Sequence, residues 1–554
     1  MVSQIAGKGT LPRRLLMRGG GENKSVLIAL TLGVLGVVAI FIATRAPDAL
    51  AGLEPALFVL APVLIVLALR NWEHGIQIIL VVVILEGAVR KWFLPSASEM
   101  VYFYKDVLML ATLIGYLRRS SRTPFLIKHR LKLLYIAIGA FLIYAALSMG
   151  LSLEIHPLIG LLGLKAYCLY IPLAFITARA FSDKERLIGF LKWYALIILP
   201  VAMIGVIQFL DTTQDAAINK YAVSEESAAG VVDIAKFGTA SGTYFVRITG
   251  TFSYVSGLSV YLPIIFALLL AMSSLFSKRG LKRGSKILYY SALGATVVLA
   301  FMTGSRGAVL SMLVVAVIFY LFTSGRQTIR RLQQIAFLGV ILLVAFTSIF
   351  PQAYDAFYNR TFGADRASEG WERVTGSLSL PINEASHAGL FGYGIGLTQN
   401  GVPALMKRLG LTDQSNPIPI GFESEPGRVT LELGVIGFVL YTLLRLILLI
   451  TVFRIAFAIR DRESKILAFA ATAALVMPLV VGGAVANHTQ NVYQWFLVGV
   501  VLALYNAERL QLRVERNFGL QIANVERVSG HRNPQVEIRN SEIHNLNSPI
   551  RNSQ

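Results

Sequence analysis

The sequence predicts an all-α polytopic membrane protein. Three observations predict it. Of 554 residues, 55% are hydrophobic and only 15% charged, whereas soluble domains carry about 25% charged residues. The mean hydropathy is +0.63. Apolar runs such as residues 187–210 and 431–451 are long enough, at about 1.5 Å per residue, to cross a hydrocarbon core of roughly 30 Å. The cations, finally, fall in alternate loops rather than along one face.

About fourteen spans (twelve to fourteen) are expected, near residues 26–44, 51–69, 76–90, 105–117, 133–151, 157–178, 187–210, 254–277, 287–304, 307–323, 333–350, 429–453, 466–484 and 492–506. Residues 1–25 are basic. The apolar run after them is too long for a signal peptide and has no small-residue cleavage site, so it reads as a retained first helix. The cation groups are Arg13/Arg14/Arg18, Arg118 to Lys132, Lys278 to Lys286, Arg326/Arg330/Arg331 and Arg454 to Lys465. The positive-inside rule puts these loops and both termini in the cytoplasm. The formal net charge of +20 is therefore a topology signal and not a nucleic-acid footprint. Arg90 and Lys91, at an outer end, are the exception.

Two substantial loops then face outward. Residues 211–253 hold five acids against three cations, and residues 351–427 hold eight against five. The second follows eleven spans (26–350) and precedes the last three (428–506). Within it, 355–358 and 370–380 have the spacing of short amphipathic helices. The glycines of 390–396 suit a tight turn, and Pro417, Pro419 and Pro426 interrupt helix. Such a loop can fold over a cavity. Residues 507–554 carry little apolar material and read as a disordered cytoplasmic tail. A single cysteine, Cys168, excludes an internal disulfide and a cysteine metal site. No dense carboxylate cluster argues for a metal.

Five segments share this outer side: RITGTFSYVSGLSVYL (247–262), TGSRGAVLSML (303–313), GADRASEGWERV (363–374), GLFGYGIG (389–396) and ESEPGRVTLELGVIG (423–437). No one of them is specific. In their order and spacing, across roughly residues 160–450, they resemble the O-antigen ligase and polysaccharide polymerase family of bacterial membrane glycosyltransferases. The resemblance implies a GT-C-like helical fold in a bacterial inner membrane, a site facing the periplasm or cell exterior, and no cofactor or metal. It implies a glycan on undecaprenyl diphosphate as donor, with a flippase and a chain-length regulator as partners. Ligases of the family carry His, then Asn, Ser or Gln, then nine residues, then GxxG. Here Ser424, Gly434 and Gly437 fit that pattern, but Glu423 stands at the histidine position. The departure favours a polymerase over a ligase acting on lipid A core or protein.

Within that resemblance Arg247, Arg306 and Arg428 are expected to hold the departing diphosphate. Guanidinium binds phosphate bidentately and stays charged in a partly dry site; the bland alternative is snorkelling or anchoring at the interface. Arg366 and Arg373, seven residues apart, share a face if helical and would either add to that site or form a solvated face. Glu423 is either a proton acceptor for a sugar hydroxyl or a partner of Arg428, and Glu425 has the same two readings. Lys165 and Arg445 lie within spans at a cost. Lys165 would line a cavity or reach Glu86. Tyr254, Trp371, Tyr393 and Trp495 are sugar-stacking or interface aromatics, and His156, His387 and His488 read as loop residues. Fourteen spans also suit a lipid-linked oligosaccharide flippase. Against that reading, nothing in the sequence marks a matched pair of broken helices.

Overall fold

A computed structural model of the chain describes residues 35–529 except 45–52, 120–124, 212–216, 223–235, 239–243, 280–282, 363–380, 412–423 and the isolated positions 41, 43, 324, 326–327, 382 and 400. Helix dominates. In chain order the helices are α1 (Leu53–Arg70), α2 (Trp72–Ala88, continued by a π-turn over Val89–Phe93), α3 (Ser98–Arg118), α4 (Lys132–Leu153), α5 (Pro157–Cys168), α6 (Ile171–Ala180), α7 (Lys184–Leu196) and α8 (Ile198–Leu210). A two-stranded antiparallel ribbon, β1 (Lys236–Gly238) with β2 (Tyr244–Val246), follows. Then come α9 (Val255–Arg279), α10 (Arg283–Met302), α11 (Arg306–Thr323), α12 (Thr328–Ile349), α13 (Pro351–Phe362), α14 (Val402–Arg408), α15 (Glu425–Ala458), α16 (Arg462–Val481) and α17 (His488–Ser529).

Among the described residues, eight helical stretches are long and apolar enough to cross a membrane. They become nine if α5 and α6, which meet at a bend of 41°, make one span. The remaining expected spans fall on helices that are shorter, partly outside the described residues or polar at one end. Thus α2 has 17 residues, and α17 opens on His488, Thr489, Gln490 and Asn491. The tail expectation needs correcting: α17 continues past residue 506 through Ser529, while residues 1–25 and 530–554 lie outside the described residues.

The core is laid along α9, α16 and α17. Tyr261, Phe469, Tyr493 and Phe496 are fully enclosed there, and the Tyr194 and Tyr493 hydroxyls share a 2.5 Å hydrogen bond. Large apolar side chains such as Leu60, Val63 and Leu67 on α1 and Ile136, Ile143 and Leu147 on α4 are exposed. Contiguous apolar surface of that kind suits hydrocarbon rather than water. The basic connections gather at one end of the bundle. There Arg119 reaches the Arg70 carbonyl at 2.8 Å, Arg186 meets Glu73 at 2.5 Å, Lys184 meets Asp461 at 3.0 Å, and Glu508 accepts from the Arg460 amide at 2.9 Å. The turns after α2, α4, α8 and α10 lie at the other end, hereafter the site end.

One helix departs from expectation. Helix α15 breaks at Gly434 (φ 66°, ψ −174°). Glu425, from before the break, contacts Tyr441 and Arg445 beyond it, so the short half folds back along the long one. Together with the α5/α6 bend this gives two interrupted helices where the sequence suggests none. The broken ends are satisfied by the glycine-rich segment. Tyr393 and Gly394 amides donate to Leu431 and Glu432 carbonyls (2.9 and 3.0 Å), while Val435 and Ile436 amides donate to Gly389 and Leu390 carbonyls (3.1 and 3.2 Å). A side chain at Gly434 would overlap the Leu390 carbonyl, besides holding a backbone angle that costs a non-glycine residue about 1–3 kcal/mol. Gly434→Ala should therefore lower the thermal midpoint of the detergent-solubilised protein. Gly294→Ala, at a position on α10 with nothing within 4 Å, should not.

Candidate functional site

Two of the expected arginines lie at the site end. Gly304, in the left-handed region (φ 61°), turns the chain between α10 and α11, and Ser305 caps α11 by accepting from the Ala308 amide at 3.4 Å, as short hydroxyl side chains do at helix starts. Arg306 is the first residue of α11 and is half-buried. Arg247, almost fully buried, donates from Nε to the Thr303 carbonyl at 3.0 Å. The RITGT and TGSRG segments, more than fifty residues apart in sequence, thus meet through Arg247 and the Thr303 carbonyl.

The segment that bears Arg247 is pinned from below. Buried Gln208 on α8 accepts from the Thr249 and Gly250 amides at 3.1 and 2.8 Å and donates to the Ile218 carbonyl at 2.8 Å. The Tyr221 hydroxyl donates to the Arg247 carbonyl at 2.5 Å. On the other side the segment presses on α2 so closely that a Cβ at Gly87 would overlap Phe252 and Ser253.

Beyond it lies a cluster whose members the sequence marks singly but does not bring together. Lys91 is buried and donates to Thr249 Oγ1 and the Gly250 carbonyl at 2.9 and 2.8 Å. Arg90 donates to Ser253 Oγ and Ser98 Oγ, both at 3.0 Å, and lies 3.6 Å from Glu86. Lys105 pairs with Glu86 at 2.7 Å. Lys165 pairs with Asp106, also at 2.7 Å, and not with the expected Glu86. Asp106 additionally accepts from the Tyr170 hydroxyl. The hints in the sequence are that Arg90 and Lys91 break the charge alternation and that Lys165 lies within a span.

Arg428 belongs to a third group. It lies in the first turn of α15, buried, and donates to the Thr398 carbonyl. Glu432, one turn on and fully buried, accepts from the Thr398 amide and hydroxyl at 2.8 and 2.6 Å. Ser152 Oγ and Tyr144 Oη hold the same region through the Ile395 and Leu433 carbonyls (2.7 and 2.6 Å). Glu425 is committed elsewhere. Its carboxylate accepts from Arg445 at 2.7 Å, the Tyr441 hydroxyl at 2.9 Å and the Val485 amide at 2.7 Å. Arg445 is in turn spent on the Leu479 carbonyl at 3.0 Å and the Pro478 carbonyl. A carboxylate so occupied is a structural anchor.

Glu423, Arg366, Arg373 and Trp371 lie outside the described residues. Among the aromatics, Tyr254 faces Tyr221 with ring centres 5.6 Å apart. Tyr393 donates from its hydroxyl to the His387 carbonyl at 3.1 Å. Trp495 is buried and lines a cavity of about 20 Å³ with Tyr167, Tyr441 and Arg445, room for roughly one water and none for a sugar. His156 caps α5, accepting from the Leu158 amide at 3.3 Å. His488 opens α17 against Tyr102, with ring centres 5.6 Å apart. No protein-family model matches the chain, and no curated protein matches it either.

The Glu425–Arg445 pair makes a direct test of this anchor. Removing one partner of a buried ion pair costs about 3–5 kcal/mol because the other charge is stranded. Glu425→Gln and Arg445→Gln should each lower the thermal midpoint sharply. The double variant should recover a large part of the loss, and additive losses in such a cycle would show that the two side chains act independently.

Proposed function

We propose that the protein is a metal-independent membrane glycosyltransferase of the polysaccharide polymerase type. It transfers a growing O-antigen or exopolysaccharide chain from undecaprenyl diphosphate to a sugar hydroxyl of another lipid-linked repeat unit. In this reading the basic end is cytoplasmic, the remaining helices complete about fourteen spans of a GT-C-like bundle in the bacterial inner membrane, and the site end faces the periplasm or cell exterior. The observation that carries the reading is the contact of Arg247 with the Thr303 carbonyl, three residues before Arg306, which joins two of the five resembling segments.

The acceptor hydroxyl attacks the anomeric carbon, the bond from that carbon to the diphosphate oxygen breaks, and the hydroxyl proton passes to a base. Arg247 and Arg306 stabilise the charge on the leaving diphosphate, and Arg428, held at the Thr398 carbonyl in the third group, is assigned to the same charge. Preorganised charge stabilisation of this kind often accelerates such reactions more than any other single effect. Glu423 is the proposed base. It immediately precedes Ser424, whose hydroxyl caps α15 by accepting from the Gly427 amide at 3.3 Å. Arg366 and Arg373 add cations from the outer loop. A ligase transferring to lipid A core or protein is the nearest variant of the same chemistry and differs in its acceptor.

A second reading, a lipid-linked oligosaccharide exporter, is favoured by the two interrupted helices, since discontinuous helices frame many transport sites. Purified enzyme supplied with lipid-linked repeat units separates the two: a polymerase yields longer glycans in detergent, where no gradient or second compartment exists.

In that assay Arg306→Ala should lose about 10- to 150-fold in turnover per folded molecule, the equivalent of about 1.5–3 kcal/mol for a charge-assisted contact. Arg306→Lys, which keeps the charge but not the fork, should lose less. Glu423→Gln should abolish polymerisation while the donor still binds. Full activity in Arg306→Ala would remove that residue from the mechanism, and near-normal activity in Glu423→Gln would remove the base.

A further inference from the structure

The cations around Tyr102 are placed as a ligand site would place them. Arg90 lies over the Tyr102 ring at 5.2 Å, and Lys105 and Lys165 each at 4.3 Å. They come from α2's π-turn, α3 and α5, so three elements aim cations at one point. Counted at their ordinary ionisation, Arg90, Lys91, Lys105 and Lys165 face two buried carboxylates, Glu86 and Asp106, and a third, exposed one, Glu99, within electrostatic reach of Arg90. Lys91 has neutral hydrogen-bond partners in Thr249 and Gly250, and Arg90 and Lys105 share Glu86. A surplus of buried positive charge in a membrane bundle is costly unless an anion completes it.

The surroundings say what kind of anion. The Lys165 and Arg90 side chains keep about a tenth of their surface exposed. Immediately beside them α3 presents Phe103, Val107 and Leu110 outward, all exposed, at the spacing of one helix face. Lys165 also lies 4.3 Å from the centre of the Phe103 ring. A charged head seated on the cations would have its apolar tail along that stripe. The segment carrying Arg247 touches this cluster through Thr249, Gly250 and Ser253 and touches the Arg306 turn through Arg247 itself. One short piece of chain therefore separates two cationic sites.

We propose that the Arg90–Lys105–Lys165 cluster binds a second lipid-borne diphosphate, that of the acceptor, beside the donor diphosphate at Arg247 and Arg306. The assignment rests on the polymerase reading, because a polymerase joins two substrates that both carry lipid diphosphates.

The test is equilibrium binding of undecaprenyl diphosphate, without sugars, to the full-length protein in lipid nanodiscs, counted by native mass spectrometry. Wild type should bind two molecules per chain. Arg90→Gln removes one of the three converging cations, leaves the Lys105–Glu86 pair in place and keeps a group able to donate to Ser98 or Ser253. It should weaken one site by roughly ten- to hundredfold and spare the other, which Arg306→Ala should weaken instead. The paired variant Lys165→Gln/Asp106→Asn should behave as Arg90→Gln does, with a wild-type thermal midpoint as the check on folding. A single bound lipid lost only in Arg306→Ala, or two bound lipids indifferent to both cluster variants, would overturn the proposal. One lipid lost in Arg90→Gln but untouched in Arg306→Ala would support this cluster and count against the Arg306 reading. Displacement by equimolar inorganic pyrophosphate would assign the cluster to a soluble anion and overturn its lipid assignment.

Discussion

A helix interrupted within a membrane bundle leaves amides and carbonyls that hydrocarbon cannot satisfy. The site end is organised around that constraint. At Gly434 the carbonyls of Leu431 and Glu432 and the amides of Val435 and Ile436 lose their helical partners, and residues 389–394 supply all four replacements. Because the replacement is a loop rather than another turn of helix, the loop is fixed where it docks. Thr398 follows it and is held by Arg428 and Glu432. The fold-back also delivers Glu425 to Arg445 and to the α16–α17 connection, so one backbone break positions three elements at once.

The cations divide into two populations by what they touch. Those at the basic end lie beside carboxylates or carbonyls at partly exposed sites, as Lys184 does with Asp461 and Glu463, where such pairs contribute little energy. Those at the site end are mostly enclosed, and besides carboxylates such as Glu86, Asp106 and Glu425 they are held by hydroxyls, carbonyls and aromatic faces. Sequence alone treats both as charges in loops.

The helices were legible because length and apolar content decide them, and the RITGT and TGSRG segments were legible because an arginine among small residues at a helix boundary is conspicuous. Partners across the bundle were not. Lys165 with Asp106, Lys105 with Glu86 and Glu425 with Arg445 are contacts between elements whose relative rotation no local pattern fixes. The extension of α17 to Ser529 was misread because low apolar content was equated with disorder. Glu508, Arg509, Arg513 and Glu515 are instead polar positions on a continuing helix, where Arg509 bonds Tyr505 at 2.7 Å and Gln511 bonds Glu515 at 3.1 Å. Glu432 went unnoticed because a lone acid in an apolar run gives no sign of what it faces. The break at Gly434 was hidden for a similar reason: a glycine inside an apolar run reads equally well as packing.

The folded-back half of α15 has a bearing on how the molecule is made. Residues 425–433 are too short to span a bilayer and carry Glu425, Arg428 and Glu432, so they have no means of partitioning into lipid by themselves as they leave the ribosome. The groups that shelter Glu425 come later in the chain, from the Leu479–Val485 stretch that Arg445 and Glu425 together bind. Its seat does not exist until α16 and α17 have been inserted. The seat of Glu425 is therefore complete only when the connection between α16 and α17 is in place.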